Sequence, residues 1–428
     1  MTPLTHKTSL ALRFDGWHDA LGRIWHNRRR IASFLGPAFV VSVGYMDPGN
    51  WGTDIEGGSR FGYQLLCVIL LSNLMAILMQ TLSAKLGIAT GRTLPQICRD
   101  RYPRWVSLFL WITAEIAAMA TDLAEFLGAA LGFYLLFGIP MFPAAILSGV
   151  VISGILALEH SGQRRLEKVI IGFVAVIGFA YLIEILLSKP DLGAIASGML
   201  IPRLSDGGLL VAVGIIGATV MPHNLYLHSA LVQPRRDPGD PAKNRRLYRM
   251  SKLDSFLALN GAWAINSAIL IMSAATFAHR GLAVTSIEAA HQTLAPLLGG
   301  FSALAFAIAL LASGLSSSTT ATLAGQVIIE GFVRVKISVW LRRLITMLPA
   351  LIVIGLGLDP LMILVLSQVS LSFQLPFAML PLIGFTRDRS IMGEYTNGRW
   401  VNLAAYLVAA IIIGLNVWLV IQVVSGTA

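Results

Sequence analysis

Gly44-Tyr45-Met46-Asp47-Pro48-Gly49-Asn50 and Ala218-Thr219-Val220-Met221-Pro222-His223-Asn224 each interrupt a long apolar run near its middle. Proline removes a backbone donor and clashes with the preceding turn, so it breaks a helix. In hydrocarbon such a break is tolerated only where the freed backbone is buried in protein or lines a cavity. Both stretches are therefore expected to be unwound points in membrane-crossing helices. The broken helices are spans one and six of the chain, an odd number of crossings apart, so they run in opposite directions. That is the mark of an inverted repeat, spans one to five against six to ten, with a substrate held between the two discontinuous helices near the midplane.

Working outward, the composition agrees. The 428 residues are 56% hydrophobic and only 13% charged, with a mean hydropathy of +0.73, which leaves no normal charged surface and no room for a sizeable soluble domain. A hydrocarbon core of about 30 Å takes roughly 20 helical residues to cross. On that length eleven spans are predicted, near 31–58, 61–88, 106–137, 141–158, 166–187, 208–233, 252–277, 297–331, 338–357, 361–385 and 400–424. The expected fold is an all-α polytopic membrane protein of 11 transmembrane helices. Residues 1–30 form a cytoplasmic tail and 31–428 one transporter domain: repeat one about 31–187, repeat two about 208–385, and an added helix about 400–424. With the N-terminus inside and the C-terminus outside, all 32 Lys and Arg except Arg60, Lys189, Arg203 and Arg280 fall on the inner side, as the positive-inside rule requires. The net charge of +10 is thus a matter of topology, not of nucleic-acid binding. The tail has no cleavable signal, and the compact loops point to a bacterial inner membrane. Cys67 and Cys98 are isolated and suggest neither a disulfide nor a thiolate metal site.

The chemistry at the breaks points to a cation. Asp47 is a carboxylate at bilayer depth, an expensive placement that usually serves function. Asn50 offers an amide oxygen, and the carbonyls of Gly44 and Ala218 lose their helical donors to Pro48 and Pro222. These oxygens alone would suit a hard ion. Met221 shifts the reading, because a thioether is a poor ligand for Mg²⁺ or Ca²⁺ and suits softer transition metals; a gap-filling Met is the plainer alternative. His223 is either a further ligand or, preferred here, a proton-handling or pore-lining group. His228 lines the exit or simply packs. Gln80 and Gln368 are amides at membrane depth, each either a transient ligand or an interhelical hydrogen bonder, with Gln374 a rival to Gln368.

Glu115, Asp122 and Glu125 share one face of span three. A buried acidic stripe is either a proton relay or a set of ion pairs, for which Arg235 and Arg343 are the candidate partners, and pairing can tune a relay. The run from Ser313 to Gln326 in span eight is rich in Ser, Thr and Gly and reads by itself as close helix packing.

Through Asp47-Pro48-Gly49-Asn50, Met221-Pro222-His223-Asn224 and the stretch from Ser313 to Gly325-Gln326, the chain resembles the Nramp family of proton-coupled divalent metal transporters, over essentially Ile31 to Val424. The resemblance implies a LeuT-type fold, Mn²⁺ and Fe²⁺ as substrates with Cd²⁺ and Co²⁺ accepted, protons as coupling ions and no cofactor. It implies ligation by Asp47, Asn50, Met221 and the carbonyls of Gly44 and Ala218, with Gln368 joining in some states. His223, Asp122 and Glu125 would serve the proton path, with Arg235 and Arg343 as basic partners. Gly44 stands where the family pattern has alanine, which leaves a carbonyl ligand intact. A monomer in the lipid bilayer is expected to suffice. A sodium-coupled solute carrier of the same fold would need neither Met221 nor the span-three acids, and a magnesium carrier would lack the thioether. No HExxH, phosphate loop or GxSxG context suggests an enzyme.

Overall fold

The computed structural model describes residues 36–157, 163–205, 207–282, 284 and 286–425; the expected tail, 1–30, lies outside the described residues. Regular structure within them is helical. In chain order the first helices are α1 (Pro37–Gly44), α2 (Pro48–Phe61), α3 (Leu66–Thr90), α4 (Leu94–Arg101), α5 (Arg104–Phe137), α6 (Met141–Ala157), α7 (Gln163–Ser188) and α8 (Leu192–Leu200). There follow α9 (Gly208–Val220), α10 (Pro222–Leu231), α11 (Pro241–Thr276), α12 (Ile287–Leu298), α13 (Gly300–Val333), α14 (Val339–Gly355), α15 (Pro360–Arg387) and α16 (Arg399–Ser425). Within the described residues each expected span falls on helix; 31–35 of the first and 158 of the fourth lie outside them. Among the described residues eight helical segments are long and apolar enough to cross a membrane on their own. The other three expected spans are the 17-residue helices α6 and α14 and the broken pair α1 and α2.

The sequence reading missed the short helices α4, α8 and α12, and it started α11 too late. α11 begins at Pro241, where Asp240 accepts from Lys243 N at 2.9 Å and Pro sits in the first turn. Its basic residues are good helix formers, so the helix simply runs on past the apolar stretch. α4 opens on a capping box in which Thr93 and Gln96 exchange hydrogen bonds of 3.0 and 3.3 Å.

Burial orders the bundle. The window spanning α9 and α10 is 94% buried, whereas that of α16 is 22% buried. The broken helix is thus central and the last helix peripheral, tied to α15 through Asn416, which accepts from Ser372 Oγ and donates to Ser372 O. Small residues let the central helices touch: the backbone of Ala129 in α5 lies against Gly314 in α13, and that of Leu311 in α13 against Gly132 in α5.

Candidate metal site

Proline determines which carbonyls are free at the two breaks. In an unbroken helix Gly44 O would accept from residue 48 and Ala218 O from residue 222, and both of those are Pro. Gly44 O instead accepts from Asp47 N at 3.2 Å, and Ala218 O accepts from Asn50 Nδ2 at 3.1 Å. The remaining carbonyls of the first break are met from outside: Tyr45 O by Asn266 Nδ2 of α11 at 2.8 Å, and Met46 O by Ser313 Oγ of α13. Unwinding in mid-bundle is therefore affordable because neighbouring helices supply the donors.

Asp47 is the N-cap of α2, accepting from Asn50 N at 2.8 Å and from Asn50 Nδ2 at 2.6 Å through Oδ1. It is fully buried, and its Oδ2 has no partner. Asn50 Nδ2 thus lies between Asp47 Oδ1 and Ala218 O, while Asn50 Oδ1 accepts from Asn266 Nδ2 at 3.1 Å. Gln368 of α15 reaches the same place. A Cβ on Gly49 would overlap its Nε2 and lie 3.0 Å from Asp47 Oδ2, and its Oε1 is buried without a partner. Gln374, the rival amide, donates to Tyr226 Oη at 3.2 Å.

Met221 is the single non-helical residue between α9 and α10, with φ 45° and ψ 96°. A non-glycine residue rarely takes positive φ, at a cost of roughly 1–3 kcal/mol, and such strain gathers at functional sites. Its Sδ accepts from Asn224 Nδ2 at 3.2 Å. A Cβ on Gly44 would stand 3.4 Å from that sulfur and 2.6 Å from Asn224 Nδ2, so glycine at 44 makes room for the amide that holds the thioether. Among the described residues no three His, Cys, Asp or Glu side chains gather as a ligand set; the breaks assemble one carboxylate with amides, carbonyls and a thioether.

Gln80 and His228 lie off this centre. Gln80 Nε2 donates to Tyr45 Oη at 2.7 Å, and its Oε1 is 2.9 Å from His228 Nδ1. His223 is buried and faces span three, its Nδ1 3.2 Å from Thr121 Oγ1. Next to Thr121 on α5, Asp122 lies 3.8 Å from Arg343, and six residues before Thr121, Glu115 lies 2.9 Å from Arg342. Glu125, three residues beyond Asp122 on α5, is fully buried. Arg235 sits in the turn after α10, its Nη1 donating to Leu231 O at 3.5 Å. The described ion pairs of the stripe are made by adjacent arginines of α14, because α14 packs on α5 whereas Arg235 is held at the end of α10.

Arg342, Asn266, Asn224 and Thr121 were not singled out from the sequence. A tandem Arg342-Arg343 inside an apolar helix was the available signal for the first. Gly325 explains its neighbour: a Cβ there would overlap the Arg342 guanidinium. The span-eight hydroxyls divide. Ser316, Ser317, Thr319, Thr320 and Thr322 bond back to their own helix, as a packing stripe would, but Ser313 serves the break.

A family model described as Nramp, natural resistance-associated macrophage protein-like, matches residues 38–422. The chain belongs to this family. Among Nramp relatives, the divalent metal cation transporter MntH of Deinococcus radiodurans is 52% identical, covering 93% of this chain and 92% of the relative. That of Bacillus subtilis is 45% identical over 97% and 98% of the two chains. The crystal structure of a mutant Eremococcus coleocola manganese transporter superposes with a TM-score of 0.82 at 38% identity, covering 91% of this chain and 86% of that one. MhsT in complex with L-phenylalanine, at 16% identity and a TM-score of 0.55 over 89% and 98% of the chains, shares only the fold. The Nramp chain thus has the expected LeuT-type architecture, with the two expected helix breaks.

Proposed function

We propose that this multi-pass membrane protein imports divalent transition-metal ions, Mn²⁺ foremost and also Fe²⁺, Cd²⁺ and Co²⁺, by proton-coupled alternating access. The observation that carries the reading is the placement of Asn50 Nδ2, a donor held between two acceptors that the breaks supply, Asp47 Oδ1 and Ala218 O. A position that draws a positive hydrogen toward two oxygens is one where a cation is welcome. Asp47 Oδ2 and Gln368 Oε1 stand by without partners, and a buried polar atom left unpaired costs about 1–3 kcal/mol. Turning the Asn50 amide exchanges its N–H for its oxygen and completes a set of Asp47, Asn50, Gln368, the carbonyls of Gly44 and Ala218, and Met221. The thioether tilts this set toward transition metals and away from Mg²⁺ and Ca²⁺. It also separates this chain from solute carriers that share the fold. The named function of the relatives, metal transport and no enzymatic reaction, supports the same reading.

His223, Asp122, Glu125 and Glu115, with Arg342 and Arg343, form the proton route in this proposal, and Gln80 and His228 line the exit. Arg235, at the end of α10, is a further basic partner of that route. The protein works as a monomer in the inner membrane, N-terminus inside and C-terminus outside, with residues 1–30 a cytoplasmic tail, repeats at about 31–187 and 208–385 and an added helix at about 400–424. A negative interior then favours uptake of the charged cargo.

The test is Mn²⁺ uptake into inside-negative proteoliposomes with Mg²⁺ and Ca²⁺ as competitors, for the native chain and Met221→Ala. Native uptake should resist the competitors and the variant should not. No native Mn²⁺ uptake would sink the proposal. In the same vesicles external acid should speed native uptake. Asp122→Asn should flatten that pH response while leaving Mn²⁺ binding within about threefold, since Asp122 faces Arg343 and is not a member of the proposed ligand set; an unchanged pH profile would remove span three from the proton route.

A further inference from the structure

A second polar feature lies where the basic ends of α3 and α11 meet the start of α16. A cavity of 360 Å³ opens there, lined by Lys85, Arg245, Arg249 and Lys252 and by the rings of Tyr248 and Tyr395. One carboxylate, Glu394, also lines it, and that group is held by Arg245 at 2.9 Å. Four cations against one neutralised carboxylate leave a strong surplus of positive charge. Topology explains basic residues at this end of the bundle. It does not explain Lys85, which is 5% exposed and lines the cavity while its Nζ donates to Asn397 Oδ1. The aromatic walls are set too: Lys252 Nζ lies 5.0 Å from the Tyr248 ring centroid, and Tyr248 meets Tyr395 edge to face at 6.0 Å.

We infer that this cavity is a binding site for the phosphate headgroup of an anionic phospholipid. Basic pockets between membrane helices on the cytoplasmic side suit such headgroups, and Arg and Lys are the side chains that recognise phosphate. What favours a lipid over a soluble phosphate is the surface beside the cavity. Leu253, Phe256 and Leu257 on α11 and Trp400 and Leu403 on α16 are exposed large apolar residues within about three turns of the lining groups, a place for acyl chains once the headgroup is seated. Occupancy has a structural consequence. Two residues beyond Lys252, Asp254 accepts from Gly36 N and Ala38 N at 2.9–3.2 Å and so holds the start of α1. A headgroup bound to α11 therefore steadies the helix on which the first broken span is anchored.

The experiment titrates the full-length protein in detergent with phosphatidylglycerol, phosphatidylcholine or inorganic phosphate, reading the apparent Kd from the thermal shift. It compares the native chain with Arg249→Gln/Lys252→Gln, which spares the Lys85–Asn397 and Arg245–Glu394 contacts and changes only exposed side chains. Phosphatidylglycerol should bind the native chain and bind the double variant about 30-fold more weakly, as two lost cations imply, while phosphatidylcholine shifts neither. Equal affinity of both proteins for phosphatidylglycerol would overturn the site. A variant-sensitive shift of the same size with inorganic phosphate would overturn the lipid as its occupant.

Discussion

At the first break three residues, Tyr45 to Asp47, leave the helix before Pro48 restarts it, whereas at the second Met221 alone separates α9 from α10. The longer break is relaxed. Its carbonyls are met by Asp47 N, Asn266 and Ser313, and its restart is capped by the Asp47 side chain. The shorter break has no side-chain cap and puts its one free residue at φ 45°. One break thus delivers a charge by way of a helix cap; the other delivers a sulfur by way of backbone strain. The pair teaches that two interruptions of the same kind need not carry the same chemistry.

Asp47→Ala should break the comparison most severely. It removes both the cap and the only carboxylate at the breaks, so Mn²⁺ uptake should fall by more than the roughly 10–100-fold that losing a group behind a metal ligand costs; uptake within tenfold of native would mean that the first break contributes no charge to the site. Next in size, Met221→Ala and Met221→Gly both lose the thioether and should weaken Mn²⁺ uptake alike, yet differ in stability. Glycine accepts positive φ and alanine does not, so the glycine variant should be more stable by about 1 kcal/mol. Equal melting temperatures for the two variants would show that the second break is not strained. The smallest effect belongs to Gly44→Ala. Its methyl must displace the Asn224 amide, the free end of a side chain, so Mn²⁺ affinity should fall by only about two- to fivefold, read by isothermal titration. A larger loss would make the hold of Asn224 on the sulfur a main element of the site.

Much of this arrangement was legible in advance, for a local reason. Proline deletes one named hydrogen bond, so Pro48 and Pro222 identify Gly44 O and Ala218 O as free acceptors without any knowledge of the fold. Hydropathy placed helix at every expected span, because a crossing segment has to satisfy its own backbone. The choice between Gln368 and Gln374 was not legible, since both lie on α15 and only the side of the helix facing Gly49 separates them. Arg342 against Glu115, and Asn266 against Tyr45 O, likewise depend on which helices pack together.

By itself, then, the sequence determined the membrane class, the two interruptions and the residue types offered at each, because those follow from covalent structure and from the solvent the chain must cross. Only the tertiary structure decided which donors repair the first break, that Met221 takes the strained conformation at the second, and that Asn50 bridges the two. Those outcomes depend on contacts between helices far apart in the chain, where one turn of rotation exchanges one amide or arginine for another.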